Sequence, residues 1–333
     1  MPMEGDVRAM VLERVGRPLR LMELPDPPTP HGQIVVKVEA CGVCRTDLHV
    51  CDGDLSKPKL PLVPGHEIVG SVIATGEGVP IRLVGRKVGV PWLGHTCGHC
   101  AYCCEGRENL CDEPGFTGYT IDGGFATHAI VEAGYAFELP DDADPVATAP
   151  LLCAGLIGWR SLKMAGEGRT IGIYGFGAAA HILVQVCKHQ GKSVYAFVRP
   201  GDEAGRKFAR DLGAVWAGYS GDTPPVQLDS AIIFAPAGEL VPMALDVVRK
   251  GGTVVCGGIH MSDIPRMPYR LLWGERRVVS VANLTRKDGA EFFSIAKAAK
   301  VGCVTSTYAL ERANDALDDL RSGRFTGAAV IVP

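Results

Sequence analysis

The sequence predicts an α/β protein of two domains, one β-rich and one built on a parallel sheet covered by helices on both faces. Three observations predict it. The chain has 333 residues, about twice the ~150 of a typical domain. Its first part, up to about residue 140, is a series of short apolar runs broken by Pro and Gly, the pattern of antiparallel strands. From about residue 155 the apolar runs alternate with stretches of helical spacing, the pattern of βα units and a parallel sheet.

Taken in order, VRAMVL, QIVVKVEA, IVGSVIATG, RKVGVPWL and GFATHAIVEA read as strands of the first domain. TIGIYG is a short strand ending in glycine, and AAAHILVQVCKHQG follows with helical spacing. SVYAFVR reads as a strand, EAGRKFARDLG as a helix closed by glycine, and SAIIFAPA and GGTVVCGG as further strands. A helix at ERANDALDDLRSG and a strand at AAVIVP close the chain, and that strand is expected to complete the first domain. The expected domains are therefore 1–154 with 285–333, and 155–284.

Composition removes several function classes. With 34 Lys+Arg against 37 Asp+Glu the net charge is -3, which does not favour nucleic acid or an anionic membrane as partner. No stretch reaches the ~18 uncharged apolar residues of a membrane span. MPMEGDVRAM has no basic segment followed by an apolar run, so the expected location is the cytoplasm. Twelve cysteines in a reducing compartment point to metal binding or chemistry rather than disulfides.

Cys97, Cys100, Cys103 and Cys111 have the spacing C-x2-C-x2-C-x7-C. Four thiolates with short spacers can wrap one tetrahedral zinc, and an all-Cys shell leaves no open position, so this site is structural. Cys104 is out of register, and His95 and His99 are not needed as ligands. A second group is dispersed: CGVCRTDLH, then Gly65-His66-Glu67, then PLLCAG. Two Cys and one His form a catalytic zinc set with an open position, and Cys44, His66 and Cys153 would supply it. Spacing leaves alternatives for each: a loop thiol, a turn histidine and a core thiol.

TIGIYGFGAAAH puts Gly175 and Gly177 between a strand and a helix. Gly175 permits the tight turn and Gly177 the approach of a pyrophosphate to the helix N-terminus, with Ala180 at the third glycine position. Where NAD sites carry Asp or Glu at the end of the second strand, this chain has Val198, followed by Arg199. The missing carboxylate and the added guanidinium favour NADP, with NAD the alternative.

In this order and at these separations, the motifs resemble the zinc-dependent alcohol dehydrogenases of the medium-chain dehydrogenase/reductase family, over nearly the whole chain. The resemblance implies a GroES-like β-rich catalytic domain plus a Rossmann doubly wound parallel-sheet domain, and two zinc ions per chain. Cys44, His66 and Cys153 resemble the catalytic ligands, and Cys41 matches a non-ligand position. Asp47 resembles the carboxylate that orients the liganding histidine. Glu67 matches an acid that approaches the metal during ligand exchange, or else is a buried ion-pair partner. Thr46 resembles the hydroxyl that takes the alcohol proton and passes it through the coenzyme ribose to His49; an imidazole titrates near neutral pH and suits that terminal role.

The family's pocket positions fall on Trp92, Leu55 and Cys51. The last two are tryptophan in some relatives restricted to small alcohols, so a wider pocket for aromatic or longer aliphatic alcohols is expected. The family's arginine after the last glycine is absent, since Gly327 is followed by Ala328 and Ala329. The expected activity is reversible oxidation of primary or secondary alcohols with hydride transfer to NAD(P). The alternatives are a zinc-free enone or quinone reductase of the same fold and a non-catalytic structural-zinc protein; they differ in zinc content. A homotetramer or homodimer is implied, with RRVVSVANL as the strand that could pair between subunits.

Overall fold

The computed structural model describes residues 7–333. They form two compact units. The first comprises residues up to Cys153 together with Thr285–Ala290 and Cys303–Pro333, and the second Ala154–Leu284 with Glu291–Gly302.

The first unit is built on a seven-stranded sheet. Its longest strand, Gln33–Val43, is rich in β-branched residues and almost continuously buried, as expected of a strand covered on both faces. It pairs antiparallel with Glu67–Thr75, His128–Glu132 and the C-terminal strand Ala328–Val332. Thr305–Ala309 runs parallel to that last strand. Phe125, Leu12, Ile34, Leu62 and Ile68 are fully buried in one cluster on this sheet. A two-stranded ladder of Leu93–His95 with Gly115–Phe116 brackets the cysteine-rich loop between them.

The second unit is a six-stranded, all-parallel sheet. From one edge its strands are Trp216–Tyr219, Ser193–Val198, Thr170–Tyr174, Leu228–Ile233, Val248–Cys256 and Arg277–Ser280. In chain order within the unit this is three, two, one, four, five, six, the Rossmann arrangement. The order reverses between Thr170–Tyr174 and Leu228–Ile233, so the chain diverges at their C-terminal ends and leaves a crevice there. Tyr174 and Phe197 stack with centroids 4.1 Å apart in the core beneath.

One boundary differs from the sequence expectation. The segment 291–302, expected in the first domain, packs in the second unit. Phe292 is fully buried and fills space that a side chain at Gly155 would take, since a Cβ there would come within 2.4 Å of its ring. Glu291 pairs with Lys163 at 2.5 Å, and Gln185 exchanges two hydrogen bonds with Gly302. Helices Ala154–Ala165 and Arg286–Ala299 had no counterpart in the sequence reading either; the first is mostly buried and so lacks the polar face that marks a helix in sequence. Among the described residues no helix is long and apolar enough to cross a membrane.

Asp229 ties the start of two adjacent strands together. It accepts from the backbone N–H groups of Arg169 and Thr170, from the Thr170 hydroxyl and from Arg249 Nε. Burial opposes its charge, but the Thr170 N–H and Arg249 outweigh it and hold the carboxyl at about 2. Asp229→Asn is expected to cost about 1–2 kcal/mol of stability at neutral pH. Because the folded-state value is depressed, the wild-type advantage is full above the unfolded value of about 3.9 and fades as pH falls toward 2. Urea midpoints of both proteins from pH 6 downward test this; a difference that does not shrink in acid contradicts it.

Candidate active site

The strand Gln33–Val43 ends where Cys44 begins, and Cys44 is the N-cap of helix Arg45–Asp52. Its Sγ takes the place of the usual cap oxygen and accepts from Thr46 N at 3.3 Å. Asp47, three residues on, completes the capping box: its Oδ2 accepts from Cys44 N at 2.8 Å. The same carboxylate reaches away from the helix. Its Oδ1 bonds His66 Nδ1 at 3.0 Å and Gly65 N at 3.3 Å. Asp47 and His66 have no exposed surface, so the carboxylate fixes both the Cys44 backbone and the imidazole plane.

His66 sits just before strand Glu67–Thr75, carried there by Gly65. That glycine has φ +95, and a Cβ would meet the Phe125 ring at 2.4 Å and Cys41 Sγ at 2.8 Å. With Nδ1 held by Asp47, the ring turns Nε2 to within 3.2 Å of Cys44 Sγ. Cys44 Sγ lies 3.9 Å from Cys153 Sγ. Cys44, His66, Glu67 and Cys153 present donor atoms all within 4.8 Å of one another. Sulfurs at the usual Zn–S length of ~2.3 Å in a tetrahedron stand about 3.8 Å apart, so the donor set fits zinc in type and spacing.

The electrostatics agree with ligation. A hydrogen bond from Cys153 chiefly, with help from His66 and the Thr46 hydroxyl, holds Cys44 well below the ordinary thiol value despite burial. The thiolate is the metal-binding form. Burial pushes Glu67 up, and its neighbour Cys44 adds to the shift. Glu67 has room because residue 42 is glycine: a Cβ there would lie 1.8 Å from Glu67 Oε2. Cys41 is buried in the strand and outside the donor group.

Around this centre the other candidates divide. Thr46 and His49 lie on the same helix, three residues apart and so on one face. Trp92 meets the His66 ring edge-on at 4.9 Å and stacks on Phe116 and Tyr119 at 5.2 and 5.6 Å. Leu55 is half-buried against the same core cluster. Cys51, expected beside it in the pocket, is packed in that cluster with 5% exposure, and burial pushes its thiol to about 12. It turns inward because it follows Leu48 and Val50 on the buried side of an amphipathic helix. Phe116, Tyr119 and Gly42 were missed. The aromatic pair flanking Gly118, just after the last cysteine of the loop, was the available signal.

The four-cysteine loop also closes on itself. Cys97, Cys100, Cys103 and Cys111 form a second group of donors within 4.8 Å. Backbone N–H groups donate to these sulfurs, from Cys97 and Glu113 to Cys111 and from Cys100 to Cys97. A hydrogen bond from the Asp112 backbone leads those that bring Cys100 down to about 6, while burial raises Cys111 to about 11. His95 is engaged with Glu132, and Cys104 is exposed and bonds to His99 O.

In the second unit Gly175 follows strand Thr170–Tyr174 with φ +85, and a Cβ would stand 3.0 Å from Ala235. Gly177 is the N-cap of helix Ala178–His189 and faces open space, a cradle that suits a pyrophosphate. Ala180 is fully buried under it. Val198 ends strand Ser193–Val198 with its side chain buried, so only Arg199 of the pair is exposed.

The fold and the two cysteine-containing groups define a class: a nicotinamide-dependent medium-chain oxidoreductase scaffold. Comparison with known proteins narrows it. The family described as Alcohol dehydrogenase GroES-like domain matches residues 30–141. A Mycobacterium tuberculosis (strain CDC 1551 / Oshkosh) protein named "Probable alcohol dehydrogenase AdhA" is 45% identical over 308 residues, 90% of this chain and 88% of that one. An alcohol dehydrogenase of Geobacillus stearothermophilus is 37% identical over 98% of both chains. The cobalt- and zinc-bound thermostable alcohol dehydrogenase of Pyrobaculum aerophilum superposes with TM-score 0.89 at 25% identity, covering 99% of this chain and 100% of that one. The chain belongs to the zinc-type medium-chain alcohol dehydrogenase family.

Asp47→Asn removes the acceptor for one of its three donors and is expected to weaken metal retention about 10–100-fold. Competition against a chelator of known affinity measures this; unchanged retention contradicts the orienting role of Asp47.

Proposed function

We propose that this protein is a zinc-dependent alcohol dehydrogenase that interconverts primary or secondary alcohols with aldehydes or ketones. The observation that carries the reading is the juxtaposition of Cys44, His66 and Cys153 at ligand spacing with an orienting carboxylate behind them. These three would hold a catalytic zinc, with Glu67 within reach of it. Cys97, Cys100, Cys103 and Cys111 would hold a structural one, making two per chain. A zinc bound by the first set supplies Lewis-acid chemistry: it acidifies an alcohol hydroxyl and polarises a carbonyl. NADP or NAD supplies the hydride acceptor.

The chain's own residues handle the proton and the surroundings. The Thr46 hydroxyl accepts the alcohol proton and gives up its own, and His49 on the same helix face carries the proton onward. Trp92, stacked with Phe116 and Tyr119, walls His66 off from solvent, and with Leu55 borders the substrate. That aromatic wall suits aromatic or longer aliphatic alcohols. The Gly177 cradle holds the pyrophosphate, and Arg199 pairs with a 2′-phosphate, so NADP is preferred to NAD.

The same reading makes the protein a cytoplasmic homodimer or homotetramer with no nucleic-acid or membrane partner. None of its twelve cysteines is in a disulfide, which suits a reducing compartment, and Arg277–Ser280 lies at a sheet edge where a second copy could pair.

Benzyl alcohol oxidation followed at the NAD(P)H absorbance band tests the assignment. Turnover that a zinc chelator abolishes is expected; chelator-insensitive turnover, or none on a zinc-loaded protein with aromatic, aliphatic or secondary alcohols, overturns it. Arg199→Ala is expected to raise KM for NADP+ about tenfold or more while leaving that for NAD+ nearly unchanged; equal effects on both coenzymes contradict the NADP reading.

A further inference from the structure

Helix Arg45–Asp52 ends in a clasp around His49 that the motifs did not point to. The carbonyl of His49 accepts from three successive N–H groups, Gly53 at 3.1 Å, Asp54 at 2.9 Å and Leu55 at 3.3 Å. Gly53 permits the reversal with φ +92, and any Cβ there would collide with Val15 Cγ1 at 2.5 Å. Arg321 anchors the same turn by bonding Asp52 at 2.8 Å. The reversal brings the Asp54 side chain back over the helix end, where Oδ2 bonds His49 Nδ1 at 2.7 Å. The imidazole is 14% exposed and Asp54 45%, so the carboxylate stands on the solvent side of a mostly enclosed ring.

An imidazole that donates Nδ1–H to a carboxylate has Nε2 as its basic nitrogen, and its ring plane is fixed by the same bond. We propose that Asp54 is a positioning residue for proton transfer at His49: the loop turn clasps the histidine so that Nδ1 is committed to the carboxylate and Nε2 is the nitrogen that takes the proton. The inference rests on the reading of His49 as a proton acceptor in alcohol oxidation. It extends that reading to a residue outside the CRTDLH segment, held in place by backbone geometry.

The test uses the zinc-loaded, full-length protein oxidising benzyl alcohol, in four forms besides wild type: Asp54→Asn, Asp54→Glu, His49→Gln and the double variant His49→Gln/Asp54→Asn. Zinc content and thermal midpoint accompany each. Asp54→Asn is expected to lower kcat about tenfold with little change in KM, and Asp54→Glu, which keeps the carboxylate, to recover most of the rate. Added imidazole should speed both His49→Gln and Asp54→Asn, and leave wild type unchanged. The double variant should be no slower than His49→Gln alone, because the two residues act as one unit.

A wild-type kcat for Asp54→Asn, a loss that imidazole does not relieve, or a loss that adds in full to that of His49→Gln overturns the positioning role while leaving the relay intact. Wild-type turnover by His49→Gln overturns the relay itself, and Asp54's role with it. If Asp54→Asn loses zinc or stability, Asp54→Ser is judged by the same imidazole rescue and the same double-variant comparison.

Discussion

The candidate site depends on one buried carboxylate. Asp47 accepts from the Cys44 N–H, the Gly65 N–H and His66 Nδ1, and those three donors come from both sides of the chain's first long connection. A buried carboxylate is costly unless its acceptor positions are filled, so the three bonds are mutually enforcing. The helix start, the glycine turn and the imidazole must all be in place, or the charge is left unpaired. With Asp47 fixed, Cys44 Sγ and His66 Nε2 converge, and Cys153 meets them.

The rest of the first unit serves that convergence. The strand Gln33–Val43 delivers Cys44 to the end of a sheet whose core is fully packed, and the helix that Cys44 caps carries Thr46, Asp47 and His49 on its first turns. Space is shaped by missing side chains as much as by present ones. Gly42 gives Glu67 its place, and Gly65 lets His66 pass beneath Phe125. Such positions hold rigidly, because sites built on strand and helix ends move less than those on open loops.

How much of this was legible varies with how local the feature is. The four-cysteine loop could be read from spacing because all its donors lie within one short turn-rich stretch. The strand-glycine-helix of TIGIYGFGAAAH was readable for the same reason. His66 and Cys153 lie 22 and 109 residues beyond Cys44 along the chain, and only the likeness of several motifs in order singled the three out. Pairings made by the tertiary fold left no local trace. Nothing near Gly42 announces Glu67, and the acid at Asp54 reads as an ordinary turn residue until the reversed backbone is seen.

Cys44, His66 and Cys153 would hold a metal of their own, apart from the four-cysteine loop. Counting zinc per chain by elemental analysis, in wild type and in Cys153→Ser, tests it most directly. Two zinc ions are expected in wild type and one in the variant, with the fold retained. One zinc in both proteins would contradict it.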